Sequence, residues 1–234
     1  MGDNLSIEIS KNRANEKEYI LDILLLSILI QIARIIVKYI ILSQLNFTYE
    51  NINIVNIISI MIVGISTAFF LKNNDKYNPA GQRLINLNNK YHNKTIRLIL
   101  GILTVIGIIA SLYIEGGYFV TTLIMIILSL VVEPVFEEVM FREYLWNYIS
   151  NFEKNDKRIL IIISIISALF KLGYWDIINQ NLSVIGSSFY TIDIVLSKVF
   201  FGLIFALVLG IVKLRYNDTY LCIFVHSLIN VFFR

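Results

Sequence analysis

Long apolar segments dominate this sequence, and such segments must be sheltered from water by lipid or by one another. Seven are long enough, or nearly so, to cross about 30 Å of hydrocarbon; they cover residues 19–42, 52–71, 95–112, 118–136, 159–173, 189–212 and 220–233. Hydrophobic residues make up 57% of the chain and charged residues 16%. Because a backbone in lipid must satisfy its own hydrogen bonds, the sequence predicts an all-α, polytopic transmembrane helix bundle of about seven spans, in a single domain covering residues 1–234.

Lysine and arginine are confined largely to alternate loops. They occur before the first segment, between the second and third, after the fourth and after the sixth, whereas the intervening loops contain none. The positive-inside rule therefore places the N-terminus in the cytoplasm. We expect a prokaryotic cell membrane, and the abundance of Ile, Asn and Lys indicates an AT-rich genome. Arg34 and Lys38 lie toward the other end of the first segment, and we expect their long side chains to snorkel to the interface.

Two further residues invite a functional interpretation, but the simpler structural one is stronger. Cys222 is the only cysteine and lies in an apolar segment, so we expect a small, buried packing residue. His92 lies in a basic loop, where we expect its side chain to be solvated. No nucleic-acid motif and no phosphate-binding loop is present, so membrane lipids are the surroundings that composition predicts and nucleic acid is not an expected partner.

Charges at the end of the fourth apolar segment are the first sign of function. The stretch EPVFEEVMFREYLW, residues 133–146, places carboxylates and an arginine where lipid should be, and unpaired charge there is costly. We expect the helix to continue to about Tyr148, amphipathic and emerging from the membrane. Glu138 and Arg142 are four residues apart and can pair on one face. Glu137 points about 100° away, without a local partner, and is therefore available as a general base. The alternative is an ion pair that only fixes two helices together.

The last apolar segment carries the second polar pair. His226 and Asn230 are four residues apart in the stretch FVHSLIN, so they share one helical face. Both can donate hydrogen bonds to a developing oxyanion, although a buried histidine that bonds its own helix is the alternative. Counted from the nearest basic loop, Glu137, Tyr174, His226 and Asn230 reach similar depths, which predicts one shared polar cavity within the membrane.

These stretches resemble a known family. EEVMFREYL (137–145) and HSLIN (226–230) are similar to the EExxxR and HxxxN motifs of the CPBP family, the CAAX-protease and bacteriocin-processing (Abi) group of intramembrane proteases. The resemblance covers about the last hundred residues, within a core of approximately residues 118–234. Between these motifs the family has FxxxH. Here Phe170 is present, but Tyr174 stands in place of the histidine, and Lys171 is also unusual.

The resemblance implies an intramembrane endopeptidase that hydrolyses a peptide bond of a membrane-associated substrate, either prenylated or carrying a leader peptide. It implies that Glu137 activates water, that Tyr174 takes the place of the assisting histidine, and that His226 and Asn230 stabilise the oxyanion. The residues expected to support the site are Glu138, Arg142 and Phe170.

Lys171 and Glu133 are expected to modulate this site. Lys171 can pair with Asp193 or with Glu137, and pairing with Glu137 would compromise the general base. A zinc site built on two motif histidines is not available, because His226 is the one motif histidine. We therefore expect no metal and no cofactor, beyond a divalent ion held weakly by one histidine and acidic oxygens.

Two other functions remain open at this point. The first is a non-catalytic homologue that binds a peptide, a lipidated tail or a partner membrane protein, in a regulatory or immunity role. The missing histidine at Tyr174 favours it. The second is a small transporter, since buried charges also mark ion paths.

Overall fold

The computed structural model describes residues 2–45, 49–74, 77, 94–114, 120–185 and 190–232. All regular elements within these residues are helices, which confirms the predicted all-α class. Five of the described helices are long and apolar enough to cross a membrane by length and composition: Glu18–Leu42, Asn51–Asn73, Lys94–Ile114, Asp156–Gln180 and Thr191–Tyr216. His92 lies outside the described residues, so its expected solvation stays a prediction.

The first three helices are α1 (Gly2–Leu42), α2 (Tyr49–Asn73) and α3 (Lys94–Ile114). Helix α1 packs against α2, and α3 packs against the last helix. Large apolar side chains such as Ile65, Phe69 and Phe200 are mostly exposed, while many polar side chains are buried between the helices. An apolar exterior around a partly polar interior suits a lipid environment, and together with the five apolar helices it makes this chain an integral membrane protein.

The fourth predicted segment forms one helical run from residue 120 to residue 150. Its parts are α4 (Val120–Ile127), a π turn (Leu128–Val132), α5 (Glu133–Glu138), a second π turn (Val139–Leu145) and α6 (Trp146–Ser150). The helix continues past Tyr148, as expected, but its end is not an exposed amphipathic helix. Met140, Phe141, Leu145 and Ile149 lie in the main hydrophobic core. Other helices cover both faces of this stretch, so its burial does not follow the expected amphipathic pattern, and its emergence from the membrane stays a prediction.

The fifth segment extends further than predicted. Helix α7 (Asp156–Phe170) is followed by a 3₁₀ turn (Lys171–Tyr174) and by α8 (Trp175–Ile185), whereas the predicted segment ended at residue 173. Side chains of α1 bind the turn: Gln31 donates to the Phe170 carbonyl over 3.1 Å, and Arg34 donates to the Gly173 carbonyl over 2.6 Å. These bonds satisfy carbonyls that the tighter turn leaves free, so the chain continues as helix.

The cations of α1 do not snorkel, and that prediction was wrong. The residues Arg34 and Lys38 are 2% and 0% exposed, and both form ion pairs with Asp176 in the first turn of α8. Burying a charge is tolerable when an opposite charge and hydrogen bonds meet it. Asp176 provides both, so the two cations attach α1 to α8 instead of reaching the interface.

The last two helices are α9 (Thr191–Tyr216) and α10 (Thr219–Phe232). Asn217 has a left-handed backbone with φ of 47°, which ends α9 and lets the chain reverse. Asp218 then accepts a hydrogen bond from the Tyr220 amide over 3.0 Å and pairs with Arg97 of α3. Cys222 of α10 is fully buried, as the sequence predicted.

Candidate active site

A cavity of about 840 Å³ lies among the motif-bearing run, α7–α8, α9 and α10. Glu137, Tyr174, His226 and Asn230 all line it. The sequence predicted similar depths for these four residues, which come from three separate segments. The fold brings them together.

One set of contacts surrounds Glu138, and we call Glu138, Arg142 and His226 the Glu138 cluster. The Arg142 Nη1 donates to Glu138 Oε1 over 3.3 Å, and Nε lies 3.2 Å from Oε2, so the i, i+4 pair expected from the sequence is present. Arg142 also donates to the Ser167 hydroxyl (3.4 Å) and to the Ala206 carbonyl (3.2 Å). The guanidinium therefore connects the motif run to α7 and α9.

His226 completes this cluster from α10. Its Nδ1 lies 2.8 Å from Glu138 Oε1, so the histidine bonds a neighbouring helix rather than its own. Glu138 is 0% exposed and meets its two partners inside the protein. The His226 side chain also lines the cavity, and its second ring nitrogen is Nε2.

A separate set of contacts surrounds Glu137, and we call Glu137, Lys171 and Tyr174 the Glu137 cluster. Lys171 Nζ lies 2.6 Å from Oε1 and 2.7 Å from Oε2, and the Tyr174 hydroxyl donates to Oε1 over 3.2 Å. Of the two partners considered for Lys171, the structure selects Glu137 rather than Asp193. Glu137 has no partner on its own helix, but it is not free: the 3₁₀ turn brings it a cation.

Asn230 is also engaged. Its Nδ2 donates to the Ser129 carbonyl over 2.7 Å, within the first π turn. Phe170 packs edge-on against Phe141 and Tyr174, with ring centroids 5.4 and 5.9 Å apart. It therefore supports the turn on which Tyr174 lies.

Two residues near the cavity carry charge without a described bond. Glu133 is half-buried and Asp193 is exposed, and both line the cavity. In the part of the chain that the structure describes, neither has an ion pair. Within the same part, no three His, Cys, Asp or Glu side chains come together in a way that could hold a metal ion.

Sequence reasoning missed the support that α1 gives to this site. The Arg34 guanidinium lies 5.4 Å from the centre of the Tyr174 ring, besides its bond to Gly173. Gln31 packs so closely on Gly173 that a Cβ there would come within 2.2 Å of Gln31 Cδ. The charge of Arg34 within an apolar segment was the signal available in the sequence.

One comparison with known proteins matches the segment that carries the motifs. Residues 119–232 match the family model described as "Type II CAAX prenyl endopeptidase Rce1-like". No curated protein and no solved structure gave a significant match to the chain. The matched segment contains every residue of the Glu137 and Glu138 clusters, so the part of the chain that carries the motifs is an Rce1-like domain, consistent with the CPBP family that the motifs indicated.

Proposed function

We propose that this protein is an intramembrane endopeptidase that hydrolyses a peptide bond of a membrane-associated substrate, either prenylated or carrying a leader peptide. The observation that carries the proposal is the grouping of Glu137, Tyr174 and His226 on one cavity inside an apolar bundle. Its volume of about 840 Å³ suits a short peptide segment. The match of residues 119–232 to the endopeptidase family supports the same reaction class.

The sequence motifs assign the activation of water to Glu137, with Tyr174 beside it. The Tyr174 hydroxyl is within hydrogen-bond distance of Glu137, which fits an assisting role. Lys171 opposes this role of Glu137, because an ammonium between the two carboxylate oxygens competes with any water for the same lone pairs. In this form of the proposal, Lys171 must move before Glu137 can accept a proton.

The alternation of basic loops supports a cytoplasmic N-terminus, and the membrane that we propose is a prokaryotic cell membrane. In this proposal residues 1–234 form a single membrane domain, and the family-like core covers approximately residues 118–234. Peptides or lipidated proteins would reach the cavity from the membrane or its cytoplasmic surface, where prenylated tails and leader peptides of membrane-associated proteins are found.

The proposal is tested by incubating the purified protein in liposomes with lipidated and unlipidated peptides and analysing the products by mass spectrometry. We expect one defined cut by the wild type and none by the double variant Glu137→Gln with His226→Gln. Glu18→Gln, an exposed glutamate on α1, is the matched control and should cut normally. Equal cutting by the double variant would point to a contaminating protease and defeat the proposal.

A second function, non-catalytic binding of a peptide, lipidated tail or partner membrane protein, is favoured by the Lys171–Glu137 pair. It is separated from the first by Tyr174→His, alone and combined with Lys171→Gly. Histidine titrates near neutral pH, whereas a tyrosine hydroxyl rarely accepts a proton there. If neither the wild type nor either variant cuts a peptide, and the wild type binds a peptide saturably, the binding function is established in place of the protease.

A further inference from the structure

We propose that the roles of the two clusters are reversed relative to the motif assignment: His226 Nε2 takes the proton from the attacking water, and the Lys171 ammonium stabilises the oxyanion. This inference rests on the proposed peptidase function and names the groups that carry it out. An atom that is already engaged in a hydrogen bond is not available to the substrate, so the contacts within each cluster determine what it can do.

The bond to Glu138 determines which nitrogen of His226 is free. Arg142 makes two close contacts with the Glu138 carboxylate, and carboxylate oxygens only accept hydrogen bonds. The nitrogen 2.8 Å from Oε1, Nδ1, must therefore carry a hydrogen. In the neutral ring this leaves a lone pair on Nε2. A lone pair accepts a proton; it cannot donate to an oxyanion.

Nε2 has no hydrogen-bond partner among the described residues, and His226 lines the cavity. A histidine whose Nδ1–H is held by a buried carboxylate has a fixed ring orientation, and the imidazolium formed on proton transfer is stabilised by the same carboxylate. Glu138 thus acts as a positioning residue, working through His226, rather than as a residue that touches the substrate.

Glu137 is in the opposite situation. Both of its oxygens lie within 2.7 Å of Lys171 Nζ, and Tyr174 donates to one of them as well. Its lone pairs are directed at donors that already occupy them. As arranged here, Glu137 holds an ammonium in place and is a poor acceptor for a proton from water.

Lys171 is the cation that the cavity offers to a substrate. Its side chain is 19% exposed, and an ammonium has three hydrogens, of which Glu137 takes two. The lysine stem passes over Gly202 of α9, where a Cβ would meet Lys171 Cγ at 3.3 Å, so its course is confined. Asn230 uses one of its two amide hydrogens on the Ser129 carbonyl, and the hydrogen that remains belongs to a neutral group. A positive charge beside the reacting carbonyl is a stronger oxyanion stabiliser than a neutral amide.

The reaction then balances without another reactant. The water oxygen bonds to the carbonyl carbon of the peptide, one water proton moves to His226 Nε2, and the carbonyl oxygen becomes an oxyanion beside Lys171. The oxyanion collapses, the C–N bond breaks, and the proton on Nε2 passes to the departing amine. A carboxylic acid and an amine are released, and His226 returns to its starting state.

The tautomer of His226 is measurable whether or not a substrate is known. The chain has two histidines, so His92→Gln leaves His226 as the sole ¹⁵N-histidine signal in micelles. At neutral pH we expect Nδ1 protonated and Nε2 bare. Glu138→Gln should raise the Nε2–H population, because a neutral amide favours Nδ1–H less than a carboxylate does. A protonated Nε2 in the wild-type site, as the other tautomer or the imidazolium, overturns the proposal.

Kinetic measurements with a peptide that the wild type cuts in the liposome assay assign the roles. His226→Gln should lower kcat by about 10²- to 10⁴-fold, and Lys171→Met by about 10²- to 10³-fold. Glu137→Gln should cost at most about tenfold, because an amide oxygen can still bind Lys171. Lys157→Met, an exposed lysine of α7, is the matched control and should be unchanged.

The possible failures are distinguishable. If the wild type cuts, Glu137→Gln abolishes cutting and His226→Gln retains it, the reversed assignment is wrong and the peptidase function stands. If the folded wild type cuts none of the peptides, the peptidase function falls, and the catalytic roles fall with it whatever the tautomer.

Discussion

The Glu137 and Glu138 clusters begin at adjacent residues and yet differ in almost every property of their partners. Glu138 meets an arginine from its own helical run, and that arginine is itself fixed by Ser167 and by the Ala206 carbonyl. Glu137 meets a lysine from another element, which reaches in along the cavity with part of its side chain exposed. Two identical side chains thus acquire different roles because a helix directs neighbours about 100° apart, toward different surroundings.

The difference lies in how firmly each cation is held. Arg142 has a planar group of fixed geometry with acceptors in several directions, whereas Lys171 is a flexible chain ending in a point charge. The Glu138 cluster is therefore part of the framework, and the Glu137 cluster is adjustable. Substitutions in the Glu138 cluster should therefore lower stability more than substitutions in the Glu137 cluster.

The largest effect should come from Arg142→Ala. It leaves the Glu138 carboxylate buried without its main counter-charge and removes the links to α7 and α9, at a cost of about 3–5 kcal/mol in the free energy of unfolding. Folded yield and thermal unfolding in detergent measure it. Arg158→Ala removes an exposed arginine paired with Glu153 and should change little. Equal behaviour of the two variants would remove the distinction between the clusters.

Gly173→Ala should have a smaller effect that reaches only one cluster. The new methyl group would displace Gln31, whose bond to the Phe170 carbonyl would be lost, at a cost of about 1–3 kcal/mol. Lys171 and Tyr174 lie on that turn and should shift. The ¹⁵N signals of His226 should stay as in the wild type; a change in them would show that the clusters are coupled.

A double-mutant cycle with Glu137→Gln and Lys171→Met should give a coupling energy of about 1 kcal/mol in thermal unfolding, at the lower end of values for residues in contact. The coupling is modest because the lysine is partly exposed and each variant leaves an alternative contact. A value near that expected for Arg142 would mean that Lys171 belongs to the framework after all.

The smallest effect should come from Tyr174→Phe. It removes one hydrogen bond to Glu137 but keeps the ring that packs on Phe170, and Lys171 still satisfies the carboxylate. We expect a loss of roughly 0.5 kcal/mol. Unfolding curves that shift as far as those of Gly173→Ala would show that the hydroxyl, rather than the turn, fixes this cluster.

The part of the site that sequence reasoning reached is the part set by local helix geometry. The Glu138–Arg142 pair follows from a spacing of four, and the depth of each polar residue follows from its distance to a loop. The partner of Glu137 does not, because Lys171 lies 34 residues away and helical spacing says nothing about which element approaches.

The errors in the fold have the same physical origin. Asp176, the partner of Arg34, lies 142 residues further along the chain. The local sequence does not reveal this pair, so Arg34 was expected to snorkel. The predicted segment ended at Gly173, yet the helix resumes once Gln31 and Arg34 bind the carbonyls of the turn. In each case, a contact between distant residues overrode a local preference.

The two π turns of the motif-bearing run have a consequence for insertions and deletions. A π turn is an α-helix with one additional residue accommodated locally, so removing one residue from Leu128–Val132 can restore an ordinary helix while the flanking faces keep their alignment. The same deletion inside α5 would rotate everything after it by about 100° and carry Arg142 away from its contacts. Length variation along this run should therefore be tolerated at the first π turn, at the cost of the bond that Asn230 now makes to the Ser129 carbonyl.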